Sequence, residues 1–222
     1  MNMSLLKNKK ILITAGPTWI PIDKVRVITN IFSGRLGVII TKKALRKRAK
    51  VTLLLGPSSL YFPSVSNSSS LKVVRFKFFW ELFRLMKKEI SSKKYDVVIH
   101  SAAVGDFEPI KVYAGKISSQ VKRLVLKLKP TPKIVDEIKK WDPKVFLVKF
   151  KVECGLSQKE LLKRAYESMQ KSNADLIVAN DLKNITPSKH KALISDGKTI
   201  LKCNTKEEIA EKLLKMIEVK LK

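Results

Sequence analysis

A glycine-bearing loop behind the first apolar segment is the part of the chain best suited to chemistry. Residues 11–18 read Ile-Leu-Ile-Thr-Ala-Gly-Pro-Thr, and residues 30–37 read Asn-Ile-Phe-Ser-Gly-Arg-Leu-Gly. Glycine has no Cβ, so backbone N–H groups near Gly16 and Gly34 can closely approach a ligand. A helix that starts near Gly34 adds unpaired N–H groups and the positive end of its dipole. The pattern therefore predicts a phosphate or nucleotide site.

The spacing of the two glycines separates this loop from the familiar nucleotide motifs. Seventeen residues lie between Gly16 and Gly34. A dinucleotide fingerprint has G-x-G-x-x-G directly after the strand, and a P-loop has G-x-x-x-x-G-K-[ST]. Neither motif follows the first strand here. On these residues alone, an ordinary strand, loop and helix start stays the alternative to a phosphate site.

The composition is that of a folded domain. The chain has 222 residues, of which 45% are hydrophobic, so we predict a single domain over 1–222. It has no apolar run of about eighteen residues, and residues 1–10 lack the apolar core of a secretory signal. Cys154 and Cys203 have no Cys or His neighbour at metal-ligand spacing. We therefore expect reduced thiols, no metal held by protein ligands and a cytoplasmic location.

The formal net charge of +27 suggests nucleic acid as a partner, but the type of basic residue argues against it. Lysine greatly outnumbers arginine and is scattered through the chain, whereas readers of bases and phosphates favour arginine forks. Attraction of small polyanionic substrates needs only a local excess of positive charge. A basic nucleic-acid-binding module stays an alternative, which a clustered lysine face would favour.

Apolar segments that alternate with amphipathic helices predict a Rossmann-like α/β fold, with a mostly parallel sheet and helices on both faces. In the first half, the predicted strands are 10–14, 51–55, 73–76 and 96–100, and the predicted helices are 36–48 and 80–90. A Pro- and Ser-rich loop is predicted over 61–70. The small residues of 101–107 follow a strand, and ligands bind at the carboxyl ends of such strands.

The second half contains one segment that breaks the alternation. Residues 121–128 alternate apolar and basic side chains, which is typical of a half-exposed strand. We place this strand outside the central sheet, in a projecting flap and dimerisation segment at about 107–130. Thr131-Pro132 is predicted to cap the next helix, which runs to 140. Further predictions are strands at 144–150 and 176–180, a helix at 157–171 with a Ser157–Glu160 capping box, a hairpin around 195–198 and a final helix capped by Thr205.

Several motifs in order along the chain resemble phosphopantothenate–cysteine ligase. The string I-L-I-T-A-G-P-T-x-x-P-I-D-x-V-R-x-I-x-N-x-x-S-G-x-x-G spans residues 11–37. S-A-A-V-G-D-F follows at 101–107, K-I-S-S at 116–119, K-P-T-P-K-I at 129–134 and D-L-I-V-A-N-D at 175–181. The resemblance covers essentially the whole chain. It implies the stand-alone form of the enzyme, without the flavin-dependent decarboxylase that many relatives carry.

The resemblance also implies a reaction in coenzyme A biosynthesis. A nucleoside triphosphate, CTP with ATP as the alternative, activates the carboxylate of 4′-phosphopantothenate as an acyl-nucleotide and pyrophosphate leaves. The amine of L-cysteine then attacks the acyl carbon. Mg²⁺ accompanies the triphosphate. The family implies a homodimer. No protein nucleophile is needed in this scheme.

Residue roles carry over from the resemblance position by position. Asn30 would donate its amide to the acyl carbonyl, and Lys116 lies in a flexible segment over the triphosphate. Asp106 would meet the nucleotide sugar, and Phe150 would lie near the base. The remaining expected nucleotide contacts are Gly16, Thr18, Ser33, Gly34, Gly37, Ala102, Ala103, Lys171 and Asn180.

The chain departs from the family pattern at several of these places. Pro17 removes an amide donor from the first loop. Lys149 stands where a glycine is common, and Ser168 and Ser172 stand where lysines are expected. These departures bear on the choice between CTP and ATP. His100 and His190 are expected to be structural. A dinucleotide-dependent oxidoreductase on a similar fold stays a second alternative, although the early G-x-G-x-x-G is absent.

Overall fold

The computed structural model describes residues 4–57, 69–186 and 189–222. Within these ranges, the chain forms a central eight-stranded sheet, two small two-stranded sheets and five helices. No helix in these ranges is both long and apolar enough to cross a bilayer. The strands are β1 (Lys10–Ala15), β2 (Trp19–Pro21), β3 (Val27–Thr29), β4 (Lys50–Leu55), β5 (Leu71–Arg75), β6 (Val97–His100), β7 (Phe107–Pro109), β8 (Leu128–Pro130), β9 (Phe146–Glu153), β10 (Leu176–Ile185), β11 (His190–Ser195) and β12 (Ile200–Cys203). The helices are α1 (Arg35–Arg46), α2 (Phe79–Ser91), α3 (Ile134–Trp141), α4 (Gln158–Lys171) and α5 (Lys206–Lys220).

The central sheet confirms the predicted Rossmann-like class. Its strand order is β12-β11-β10-β9-β6-β1-β4-β5. The six strands from β10 to β5 pair in parallel, whereas β11 and β12 add to the β10 side in antiparallel. The carboxyl ends of β1, β6 and β9 therefore lie side by side at one edge, where an α/β sheet places its ligand.

The sheet is buried on both faces because helices pack on each of them, and successive side chains of its strands point to opposite faces. Ile11 and Ile13 of β1 belong to the core under α1 and α5, whereas Leu12 belongs to the core under α2, α3 and α4. Ile40 of α1 and Met86 of α2 are fully buried in their respective cores. The amphipathic character predicted for these helices is thus confirmed.

Local signals located several elements of the second half correctly. Ser157 accepts from the backbone N–H of Glu160, and the Glu160 carboxylate accepts from the N–H of Ser157, which is the predicted capping box. The predicted hairpin is the antiparallel pair β11–β12. Thr205 accepts from the N–H of Glu208 and caps α5.

The predicted start of α3 is wrong. The N-cap is Lys133, and the first helical residue is Ile134. Thr131 instead donates its hydroxyl to the carbonyl of Gly105 at 2.7 Å, and its N–H to the carbonyl of Asp106 at 2.9 Å. These long-range bonds hold the Thr-Pro pair against the 101–107 loop, so its local capping preference is overridden.

The predicted strand over 121–128 is also wrong. Only Leu128–Pro130 forms a strand, β8, which pairs with β7. Residues 110–127 contain no strand, and Val121 and Val125 are exposed. Alternation alone did not suffice, because a strand also needs a partner to bond its backbone. The loop predicted over 61–70 lies mostly outside the described residues.

Candidate active site

A cavity of about 810 Å³ opens at the carboxyl edge of the sheet. Its walls come from the ends of β1, β6 and β9, the starts of α1 and α3, and the last turns of α4. Its volume lies within the usual range of ligand sites, roughly 300–1,000 Å³. Ten of the expected site residues line it, namely Gly16, Asn30, Ser33, Gly34, Gly37, Ala102, Ala103, Asp106, Phe150 and Lys171. Thr18, Lys116 and Asn180 are not among the lining residues.

Glycines allow the start of α1 to pack directly on the end of β1. Gly34 is the N-cap of α1 with a positive φ of 79°, and a Cβ on it would lie 2.5 Å from the backbone N of Gly16. A Cβ on Gly37 would lie 2.6 Å from the Cβ of Ala15. The first free N–H groups of α1 are thereby brought to the cavity wall, where they suit an anion.

Asn30, in the loop before α1, is hydrogen-bonded to the 101–107 loop at the cavity wall. Its Nδ2 donates to the carbonyls of Ala103 and Val104, both at 3.1 Å. Ala103 is also tied to the β1 loop, because its N–H donates to the carbonyl of Gly16 at 3.0 Å. Both hydrogens of the Asn30 amide thus have protein acceptors, and the side chain holds the 103–104 backbone in place.

Thr18 has a scaffolding role in this structure. Its side chain is fully buried, and its Oγ1 accepts from the N–H of Gly105 at 2.9 Å. Its own N–H donates to the carbonyl of Ala103 at 3.2 Å. The threonine therefore positions the 101–107 loop from behind the cavity.

Asp106 lies at the rim and pairs with Lys133, the N-cap of α3, at 2.5 Å. Both side chains are more than half exposed, so solvent screens the pair. The carboxylate is accessible to the hydroxyls of a ligand.

Buried groups with altered pKa values form the floor. Lys149 is 4% exposed, and burial lowers its pKa to about 8. His100 bonds through Nδ1 to Thr14 Oγ1 at 3.0 Å. Burial above all, and then the charge of Lys149, lowers the pKa of His100 to about 4. His100 is therefore neutral near pH 7, as its expected structural role requires.

His190 also lines the cavity, which sequence reasoning missed. Burial first, and then Lys206, lowers its pKa to about 4. Its Nε2 contacts Nδ2 of Asn180. Among the described residues, Asn180 Oδ1 and His190 Nδ1 are buried and have no hydrogen-bond partner. Asn180 therefore does not line the cavity itself but contacts His190, which does.

The lining is positively charged overall. Four carboxylates line the cavity, against seven basic side chains, so the cavity favours a polyanion. In the described part of the chain, no three His, Cys, Asp or Glu side chains are grouped as a metal site. The basic side chains are Arg35, Lys133, Lys149, Lys151, Arg164, Lys171 and Lys206.

Lys116 lies in the exposed flap outside the cavity, but its neighbour is anchored. The N–H of Ile117 donates to the carboxylate of Asp23 at 3.0 Å, and its carbonyl accepts from Arg26 Nη1 at 3.2 Å. The Asp23 side chain is fully buried and pairs with Arg26 at 2.5 Å. The sequence alone indicates no separate role for Asp23 and Arg26, although both stand in the first motif.

Comparisons with known proteins identify relatives of this chain. The family described as the DNA/pantothenate metabolism flavoprotein C-terminal domain matches residues 6–220. The Coenzyme A biosynthesis bifunctional protein CoaBC of Thermococcus kodakarensis is 41% identical over 96% of this chain and 52% of its own length. The corresponding protein of Borreliella burgdorferi is 32% identical over 96% of the chain and 53% of its own length. The chain thus spans about half the length of these relatives.

Solved structures show the same fold. The DNA/pantothenate metabolism flavoprotein of Streptococcus pneumoniae superposes with a TM-score of 0.86 at 34% identity, covering 95% of this chain and 99% of that one. The C-terminal domain of a CoaBC protein gives a TM-score of 0.79 at 29% identity, covering 98% of each chain. Both solved structures share the fold over nearly the whole length of this chain. The chain belongs to the family of the DNA/pantothenate metabolism flavoprotein C-terminal domain.

Proposed function

We propose that the chain is a phosphopantothenate–cysteine ligase of coenzyme A biosynthesis. It would join 4′-phosphopantothenate to L-cysteine through an acyl-nucleotide, with loss of pyrophosphate. The observation that carries the proposal is the positively charged cavity at the start of α1, in a chain whose family and relatives are named for pantothenate and coenzyme A metabolism.

The geometry supports a mechanism based on positioning. The N–H groups at the start of α1 and the glycine loop bind phosphate oxygens, and the basic lining offsets the charge of two anionic substrates. Binding both substrates in one cavity places the carboxylate of 4′-phosphopantothenate in line with the α-phosphate, which supplies the entropic part of the rate enhancement. Oxygen of the carboxylate attacks phosphorus, and pyrophosphate leaves.

Asn30 acts in the second step of this mechanism. The cysteine amine attacks the acyl carbon, and negative charge grows on the acyl oxygen, where an amide donor stabilises it. The acyl C–O bond to the nucleotide then breaks, the nucleoside monophosphate leaves, and the new amide nitrogen loses a proton to solvent. In the free protein, both Asn30 N–H groups are bonded to Ala103 and Val104. Donation to the substrate therefore requires one of these bonds to be exchanged, which couples the step to the 103–104 loop.

Magnesium would enter with the nucleotide. Mg²⁺ keeps several water ligands and binds through substrate phosphates in many such sites. The Asp and Glu side chains that line the cavity are Asp106, Asp136, Glu153 and Glu167. These oxygens are the ligand type that Mg²⁺ prefers, and it would draw charge from the leaving pyrophosphate.

We propose CTP as the nucleotide, with ATP as the alternative. Phe150 lines the cavity on the α1 side of β9 and would contact the base. Lys116 and its flap would approach the triphosphate from outside. We also propose a homodimer through the flap at about 107–130, because Phe107, Ile110 and Val125 expose 53%, 62% and 60% of their surface. The cytoplasm is the proposed location.

An assay of pyrophosphate release tests the reaction class. Release is expected with one nucleoside triphosphate out of four, only when 4′-phosphopantothenate is present, and the ligated product appears only after L-cysteine is added. Release of a nucleoside diphosphate and inorganic phosphate would instead indicate an acyl-phosphate and would refute the acyl-nucleotide mechanism.

A further inference from the structure

The ammonium group of Lys149 is held on the cavity floor in a defined position. On β9, Leu147 belongs to the core under α2, α3 and α4, and the side chain two residues on points to the same side. Lys149 Nζ donates to the carbonyl of Ser168 at 2.7 Å and to Ser172 Oγ at 2.8 Å. The residue lines the cavity although it is 4% exposed.

Packing alone gives little reason for a cation here. A buried ammonium is costly unless it is paired, and an apolar side chain would fill the same space. No ion pair joins Lys149 to a carboxylate among the described residues. The carboxylate of Asp136 acts on it electrostatically, but that group lies 3.8 Å from Lys171 Nζ. The positive charge of Lys149 is therefore only partly compensated.

The chemistry of this position points to an anion. An ammonium has three N–H donors, and two of those on Lys149 are bonded to Ser168 and to Ser172, the C-cap of α4. We infer that the third donor of Lys149 contacts a phosphate group of the nucleotide, making Lys149 a phosphate-binding residue of this chain. The inference rests on the proposed function for the identity of the anion as a nucleoside triphosphate.

This role has a consequence for protons. The pKa of Lys149 is lowered to about 8, and a bound phosphate raises it again because it favours the charged form. Phosphate binding above pH 8 therefore takes up a proton. Several charged or titratable groups interact electrostatically with the Lys149 ammonium. They are Asp136 and Lys133 of the α3 region, Lys151 of β9, Lys171 of α4 and His100 of β6.

Titration calorimetry with inorganic tripolyphosphate tests the inference. This probe has no nucleobase, and its binding is measured without ligase turnover. Lys149→Met removes the charge and keeps the length, and Lys163→Met on the exposed face of α4 is the matched control for net charge. We expect the dissociation constant to rise about ten- to a hundredfold in Lys149→Met and to change less than about twofold in Lys163→Met. Thermal unfolding of each variant checks that it is folded.

The pH dependence of the wild-type protein is the second measurement and needs no variant. Ordinary lysines stay charged to about pH 10, and tripolyphosphate only gains negative charge as the pH rises. Affinity that falls between pH 7.5 and 9.5 in wild type but not in Lys149→Met supports the inference. Equal affinity in both proteins, or a wild-type affinity that stays level or rises over this range, would overturn it. Absence of tripolyphosphate binding in wild type would refute the proposed nucleotide site as well.

Discussion

The carboxylate of Asp23 accepts a hydrogen bond from the backbone N–H of Ile117 at 3.0 Å, so a buried side chain between β2 and β3 holds the residue next to Lys116. Arg26 completes the contact, because its Nη1 bonds both to Asp23 and to the carbonyl of Ile117. The N–H of Ile117 above all keeps the pKa of Asp23 well below its usual range. The carboxylate therefore stays ionised, and the base of the flap stays anchored, through the whole physiological pH range.

We predict that Asp23→Ala releases the flap. The N–H groups of Val25, Arg26 and Ile117 lose their shared acceptor, so the segment opens more often. Tryptic cleavage within 110–127 should accelerate roughly five- to thirtyfold, with the cut sites located by mass spectrometry. The control variant Glu137→Ala removes a carboxylate paired with Lys140 on α3. Trypsin should cleave this variant at the wild-type rate. An unchanged rate in Asp23→Ala would show that the anchor does not hold the flap.

Asn30→Ala should separate the two half-reactions. Loss of one donor to a developing oxyanion costs about 3 kcal/mol, or roughly a hundredfold in rate. Ligation should fall by about that factor, while pyrophosphate formation in a single turnover falls less. Quenched-flow measurement of both products checks this, with nucleotide affinity as the control for an intact loop. Near-normal ligation would mean that Asn30 only holds the carbonyls of Ala103 and Val104.

Two glycines with positive φ provide a matched pair. Alanine is strained at either position, by about 1–2 kcal/mol. Gly155 has φ 74° and no atom within 4 Å of an added Cβ, whereas a Cβ on Gly34 would meet Gly16 at 2.5 Å. Gly155→Ala should lower the free energy of unfolding only by this backbone strain. Gly34→Ala should lower it by more than about 3 kcal/mol and should also abolish nucleotide binding. Urea denaturation and calorimetry compare them. Equal costs would contradict the close contact between α1 and β1.

The buried His100 predicts a loss of stability in weak acid. Its pKa is lowered from 6.5 to about 4, so the unfolded chain takes up a proton below about pH 6.5 while the folded chain does not until about pH 4. The contribution is fully present above pH 6.5 and is lost as the pH falls to 4, by at most about 3 kcal/mol. His100→Gln should reduce the slope of unfolding free energy between pH 6.5 and 4.5 in urea titrations. An identical slope would mean that His100 protonates normally in the folded protein.

The apolar surface of the flap predicts the dimer contact. Val125 is 60% exposed on the flap and Val219 is 58% exposed on α5, so the two residues form a matched pair. Val125→Glu should raise the dimer dissociation constant at least about tenfold, and Val219→Glu should leave it unchanged. Light scattering over a dilution series measures both. A monomeric wild-type protein at every concentration would refute the dimer.

Several local patterns were sufficient to predict their part of the structure. Alternating apolar and amphipathic segments predicted the parallel sheet, because burial on both faces requires apolar strands. The capping residues Ser157 and Thr205 predicted helix starts correctly, since a cap bonds only to residues within its own first turn. The motif around Gly16 and Gly34 predicted the loops that line the cavity, because the absence of a Cβ is a property of the residue itself.

Other features depended on contacts between distant parts of the chain. The 121–128 segment has the alternation of a strand, yet only its last residue, Leu128, pairs with a neighbouring strand. Thr131 bonds to Gly105 instead of capping α3. Lys149 was recognised in the sequence only as a departure from the family pattern, whereas its ammonium is oriented by Ser168 of α4 and by Ser172, the C-cap of that helix. The sequence by itself determined which residues are present and which local structures they favour. The tertiary structure alone decided which donor meets which acceptor, because those pairs are separated by many residues along the chain and meet only after the sheet and helices have packed.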